Sequence, residues 1–285
     1  MTDLILKSAM IPDGRVADIS ITNGIITHIG SSGSADRIIN CRNRLCVPAV
    51  IDVHVHIRDG TQAAKEDWAT CTQAAVAGGV AAVVDQPNTD PPMETVENFA
   101  ARLRLAGKES FCHYAINGSV TEDSDLPGLY AAGALAFGEM FAAPSSYGSA
   151  LKPEVISEAL TILAKHGALT TVHAEEVKTG VVHTLAGHSE ARPVAGEAAT
   201  VDLVNALAPA GARLHFCHMS GTASIVRVMM RRGNTYEVAP HHLFLSWEEH
   251  DGSDTRFRIN PPLRTKTERM NLWRMFAAIP VIASD

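Results

Sequence analysis

Cysteine, aromatic residues and clustered positive charge are all scarce in this sequence, and each scarcity removes a class of protein. The five cysteines, Cys41, Cys46, Cys71, Cys112 and Cys217, are odd in number and scattered, and none forms a Cys-x-x-Cys pair. That argues against a disulfide framework or a zinc ribbon and suits reduced thiols in a cytoplasm. No apolar run approaches the roughly 20 residues of a spanning helix, and the N-terminus lacks a basic segment leading into an apolar one. Lys and Arg number 24 against 31 Asp and Glu, a formal charge of −7 without a basic cluster, so neither nucleic acid nor a membrane surface is an expected partner. A small anionic substrate would need its own local arginine. Aromatics make up only 5%, yet 285 residues at 46% apolar content suffice for one large core with a small appendage.

What is present centres on residues 47–60, Val-Pro-Ala-Val-Ile-Asp-Val-His-Val-His-Ile-Arg-Asp-Gly. Residues 49–57 are apolar and β-branched enough for a strand buried on both faces, as in parallel sheets. Side chains two apart on a strand share a face, so His54 and His56 point the same way. Buried histidines can serve packing alone, but a pair on one face, followed at once by Arg58 and Asp59, reads as a metal site.

Residues 1–47 alternate short apolar runs with turn residues, Pro12-Asp13-Gly14 and Asn23-Gly24, and the second of these is a hairpin signal. This segment is expected to be a small β module, a partial sandwich. From 48 to 285 the rhythm changes to buried strands alternating with helices. Strands are expected at 49–57, 80–85, 112–116, 134–140, 168–173, 212–218, 236–239 and 281–285, with helices including 65–77, 94–106 and 153–166. Eight such signals predict an α/β fold, a (β/α)8 TIM-type barrel.

Active sites in these barrels collect at the C-terminal ends of strands. His54 and His56 close the first strand, Glu139 the fourth, His173 the fifth, His218 the sixth and Asp285 the eighth. Four imidazoles and two carboxylates on one rim form a donor set suited to one or two Zn²⁺ ions. His215, three before His218, faces the other way and is read as support for the site or as packing. His241 and His242 are assigned to a loop, and Arg192 and Glu197 read as readily as a local ion pair as anything catalytic.

Seven motifs carry a resemblance: His-Val-His-Ile-Arg (54–58), Gln-Pro-Asn-Thr (86–89), Val-His-Ala-Glu (172–175), His-Phe-Cys-His-Met-Ser (215–220), Ala-Pro-His-His-Leu (239–243), Asn-Pro-Pro-Leu-Arg (260–264) and the terminal Ala-Ser-Asp. From about residue 47 onward the chain resembles dihydroorotases of the amidohydrolase superfamily, metal-dependent hydrolase barrels that carry a small β-sandwich. Single motifs are shared with allantoinases and hydantoinases; Asn-Pro-Pro-Leu-Arg and the arginine two after His-x-His are more specific. The resemblance implies reversible hydrolysis of L-dihydroorotate to N-carbamoyl-L-aspartate in pyrimidine biosynthesis. His54, His56 and Asp285 would hold the more buried metal and His173 and His218 the second. Arg58 and Asn88 would bind the substrate carboxylate, Asn260 the pyrimidine ring, and Asp285 would carry the catalytic proton.

Two departures from the family pattern stand out. Many dihydroorotases join their metals through a carbamylated lysine on the fourth strand; this strand has none, and Glu139 is expected to bridge instead, with Gly138 permitting a close backbone approach. The chain also stops at the tip of the eighth strand, where family members continue, so a truncated C-terminal end is expected. Another cyclic amidohydrolase, or a silent dihydroorotase-like subunit scaffolding aspartate carbamoyltransferase, remains as an alternative. Beyond the small-molecule substrate, a homodimer and association with aspartate carbamoyltransferase are the partner relations the resemblance allows.

Overall fold

The chain divides into two units, Met1–Val50 and Ile51–Asp285, in a computed structural model that describes residues 2–143, 150–178 and 182–285. The first unit holds β1 (Leu4–Met10), β2 (Val16–Thr22), β3 (Ile25–Gly30) and β4 (Arg37–Asn40), in the sheet order β3-β2-β1-β4. β1–β2 and β2–β3 are antiparallel, and β1–β4 is parallel. Asn23 and Gly24 turn β2 into β3 with φ of 51° and 74°, the left-handed pair that a tight hairpin turn needs. Ala9, Ile11 and Ile19 make a small core, while Ile25, Ile26 and Ile38 are more than half exposed. β4 was not anticipated from the sequence, because two isoleucines between Arg37 and Asn40 are too short a run to read as a strand.

The second unit alternates strand and helix. In order these are β5 (Val50–Val55), α1 (Trp68–Ala77), β6 (Val80–Asp85), α2 (Val96–Glu109), β7 (His113–Ile116), α3 (Leu126–Ala132), β8 (Phe137–Phe141), α4 (Pro153–Lys165) and β9 (Leu169–His173). α5 (Leu185–Ala191), α6 (Val194–Leu207), β10 (Arg213–Phe216), α7 (Thr222–Met230), β11 (Thr235–Val238), α8 (Pro240–Phe244), α9 (Lys266–Arg274) and β12 (Val281–Ile282) follow. The strands lie in the orders β5-β6-β7 and β12-β11-β10-β9-β8. A parallel bridge between Gly118 and Phe137 joins one side of the two sheets, and the Asp285 amide donates to the His54 carbonyl at 2.9 Å on the other. The result is a (β/α)8 barrel, its core built from residues such as Phe137, Met140, Val172, Leu214, Phe216 and Val238, all essentially buried.

Several element ends differ from the sequence expectation for local reasons. α1 starts at Trp68 and not at 65, because the Asp67 side chain accepts from the Thr70 amide while the Thr70 hydroxyl oxygen accepts from the Asp67 amide, a reciprocal cap. β12 is two residues long, since the Ser284 amide bonds to the Asp52 carboxylate (3.1 Å) and leaves the ladder. His241 and His242 lie in the short helix α8, started by Pro240 in its first turn, and not in a loop. Among the described residues no helix is long and apolar enough to cross a membrane.

Candidate metal centre

Strands β5, β8, β9 and the segments just beyond β5, β10 and β12 deliver the six expected donors to one place. His54 Nε2 lies 3.3 Å from His56 Nε2 and 3.3 Å from Asp285 Oδ1; His56 Nε2 lies 3.1 Å from the same Asp285 oxygen and 3.4 Å from Glu139 Oε2. Ligands about 2.0–2.1 Å from a tetrahedral zinc stand about 3.3 Å apart, so these separations match the edges of one coordination shell. Glu139 Oε1 meets His173 Nδ1 at 3.1 Å and His218 Nε2 at 2.7 Å, forming a second trio on the carboxylate's other oxygen. Glu139 therefore faces both groups. Gly138 allows this, with φ of 117° and a backbone so close to β9 that a Cβ would overlap the Thr171 carbonyl oxygen.

The electrostatics favour positive charge at the centre. Burial works against charging any of these groups, yet Glu237 and Glu139 beside His54 raise its imidazole well above the ordinary value. His173, likewise buried, is raised to about 9 by hydrogen bonds to Glu139 and Glu175. Against the same burial, the charge on His54 and the hydrogen bonds of His173 and His218 hold Glu139 well below the usual carboxylate range. Burial also opposes ionisation of Asp285, but the His56 hydrogen bond and the nearby His218 and His54 lower it. Cys217 comes within ligand distance of His54 and Glu237, but burial pushes its thiol up to about 12, which leaves it a neutral packing group.

The remaining nitrogens of three of these histidines are also addressed. Glu237 Oε1 stands 2.5 Å from His54 Nδ1, Asn88 Oδ1 stands 2.8 Å from His56 Nδ1, and Glu175 Oε2 stands 3.4 Å from His173 Nε2. Arg192 pairs with Glu175 at 3.2 Å, while Glu197 pairs with Arg264 and accepts from Ser220; the expected Arg192–Glu197 pair does not form. A cavity of about 300 Å³ opens over the donors, lined by His56, Arg58, Glu139, His173, His218, Arg258, Asn260 and Asp285 among others. Arg58 reaches the Asn88 carbonyl with Nη1 at 3.2 Å, so Asn88 touches both His56 and the cavity arginine.

The family described as Dihydro-orotase-like matches residues 43–146. A dihydroorotase from Methanosarcina acetivorans is 40% identical over 273 residues, covering 88% of this chain and 58% of its own length. Another, from Halobacterium salinarum, is 33% identical over 290 residues, covering 99% of this chain and 68% of its own length. The chain belongs to the dihydroorotase family. It spans less than two thirds of the Methanosarcina relatives, 58% and 59% of their lengths. Among solved structures, the L-hydantoinase (dihydropyrimidinase) of Arthrobacter aurescens matches with a TM-score of 0.89 at 24% identity, over all of this chain and 69% of that one. A D-hydantoinase matches at 0.83 and 26%, over 99% and 68%.

Within this dihydroorotase-family barrel, the sequence reading missed Glu237, Arg258 and the part played by Glu175. A signal for Glu237 existed: it is the one carboxylate in the otherwise uncharged run 235–239, where an unpaired charge would be costly. Glu175 closes the Val-His-Ala-Glu motif two residues after His173. Arg258 precedes Asn260 by two and carries no signal beyond that.

Proposed function

We propose that the chain carries the catalytic centre of a dihydroorotase, which opens L-dihydroorotate to N-carbamoyl-L-aspartate and closes it again in the biosynthetic direction. The observation that carries this reading is Arg58 on the wall of the same cavity as Glu139, His173, His218 and Asp285. A guanidinium grips a carboxylate as a planar fork, and a small ring anchored that way reaches the donor cluster. Asn88 Nδ2, buried with no hydrogen-bond partner among the described residues, is the amide donor assigned beside Arg58, and Asn260 is assigned to the ring.

Two Zn²⁺ ions belong to the proposal, one on His54, His56 and Asp285, the other on His173 and His218, with Glu139 shared between them. Bound there, zinc supplies Lewis acidity that polarises the ring carbonyl and acidifies the attacking water. The chain does the rest. Arg58 and Asn88 fix the carboxylate and so aim the ring amide. Asp285, held ionised by its histidine neighbours, takes the proton from the water and gives it to the ring nitrogen as the C–N bond breaks; in reverse it returns that proton to the departing oxygen. A cytoplasmic setting, suited to unpaired cysteines, and a homodimer or an assembly with aspartate carbamoyltransferase complete the proposal.

Turnover of dihydroorotate by the full-length protein, with metal counted per chain and with allantoin and hydantoin assayed alongside, tests it. Dihydroorotate hydrolysis with bound zinc is expected. Preference for another cyclic amide would move the reading within the cyclic amidohydrolases, and an inert, metal-free protein would leave the scaffolding subunit.

A further inference from the structure

Glu237 of β11 sits beneath the donor cluster, 1% exposed, and uses both carboxylate oxygens on neighbouring strands. Oε1 is 2.5 Å from His54 Nδ1 and also accepts from the His218 backbone amide at 3.2 Å. Oε2 is 3.1 Å from His215 Nε2, and the opposite nitrogen of that ring meets the Thr235 hydroxyl at 2.8 Å. We propose that Glu237 is a positioning residue for the metal centre: it holds His54 as the Nδ1–H tautomer with Nε2 turned to the metal, and it fixes the backbone of His218. The inference rests on the metal-dependent reading above, but concerns metal capture and not the choice of substrate.

The argument follows from what a neutral imidazole can do. It has one N–H and one lone pair, and only the lone pair can bind a metal. A carboxylate can only accept, so opposite Nδ1 it demands N–H there and leaves the lone pair on Nε2, the atom that faces His56 and Asp285 at 3.3 Å. A nearby anion also makes the imidazole a stronger donor, and partners of this kind commonly change metal affinity by about 10–100-fold. The contact at His218 serves the other half of the centre. His218 has φ of 34°, a left-handed backbone that histidine seldom adopts, and its amide donates to Glu237 while the next amide, Met219, donates to the Glu237 carbonyl at 2.8 Å. One residue thus orients the ring of one ligand and the main chain of another. His215 and Thr235 close the network by holding the far oxygen, so the carboxylate cannot swing away from His54.

Glu237→Gln and Glu237→Ala in the full-length protein test this by two readings that need no substrate. Zinc dissociation constants from chelator competition are expected to rise roughly 10–100-fold in Glu237→Ala, with Glu237→Gln between it and the parent. Imidazole nitrogen resonances of the metal-free protein, followed to a pH at which His54 has lost its second proton and assigned by comparison with His54→Asn, are expected to show the Nδ1–H tautomer in the parent and a mixture in Glu237→Ala. A purely structural glutamate would lower the unfolding midpoint and leave both readings unchanged, which would overturn the proposal. If Glu237→Ala does not fold, Glu237→Gln decides alone, because an amide fits the same space once His215 changes tautomer; zinc affinity and His54 resonances equal to the parent would then overturn it. A parent that binds zinc but ignores dihydroorotate defeats the substrate assignment and leaves this inference standing. A parent that turns over dihydroorotate while its Glu237 variants bind zinc equally well defeats this inference alone.

Discussion

At Arg58 the charge and the shape of a side chain can be separated. Arg58→Lys keeps the positive charge and loses the planar fork, so zinc content should stay at the parent level while KM for dihydroorotate rises about tenfold or more, with kcat less affected. An unchanged KM would remove Arg58 from the carboxylate site. Glu139→Gln keeps the shape and removes the charge. A neutral amide cannot be shared by two dications, so metal should fall from about two per chain to one or none, and bicarbonate should not restore it, since β8 carries no lysine. Two fully occupied metals in an anomalous map of that variant would end the bridging assignment. That these six side chains converge was legible because residue type and strand-end position mark them, and His54 and His56 are two apart on one strand. Glu237 was not, because it meets His54 from 183 positions away, and no local spacing encodes that contact.

At the scale of elements, β5 reaches the cavity through a clamp made by α2 and β6. Asp85 accepts from the Ile57 amide at 2.9 Å and holds Arg102 at 2.7 Å, while Arg102 donates to the carbonyls of Ile57 and Arg58. The segment that carries His56 into Arg58 is therefore pinned on both its N–H and its C=O side. Arg102→Met would strand a buried carboxylate and should destabilise the barrel by about 3–5 kcal/mol, measured by the denaturant midpoint; adding Asp85→Asn should recover part of the loss. Equal midpoints in the single variant and the parent would show that the clamp is dispensable. The central strands β8 to β11 could be read from the sequence since nearly all their residues are buried; β5, expected to be buried on both faces, is so only toward its C-terminal end, with Val50 and Ile51 more than half exposed. The ends of the strands could not be read. β12 ends where Asp52 captures the Ser284 amide, a partner 232 positions away, whereas the start of α1 was encoded locally in Asp67 and Thr70.

For the whole molecule, the raised histidines link stability to pH and to metal. His54 and His173 are both raised above their ordinary value near 6.5, His173 to about 9, so the stability His173 adds to the metal-free protein is complete below about 6.5 and lost as pH rises through about 9, and that from His54 is likewise lost as pH rises. The lowered carboxylates are ionised throughout that window and change nothing in it. Unfolding free energies of chelator-treated protein from urea titrations should therefore fall between pH 6.5 and 9, by up to about 3 kcal/mol for His173, while zinc affinity rises over the same range as protons cease to compete. A flat midpoint would show that these rings are neutral without metal. The seam of the barrel adds a topological side to this linkage. The Asp285 amide meets the His54 carbonyl, and their side chains stand 3.3 Å apart in the same donor cluster. An ion held there acts as a clasp across the ring, tying together two segments more than 200 positions apart along the chain. By the chain-entropy estimate for a covalent staple, a tie of that span is worth about 5 kcal/mol against unfolding. On the proposed reading the residues that would prepare the chemistry would also fasten the hoop, and an apoprotein would be an unbuckled barrel as well as an idle one.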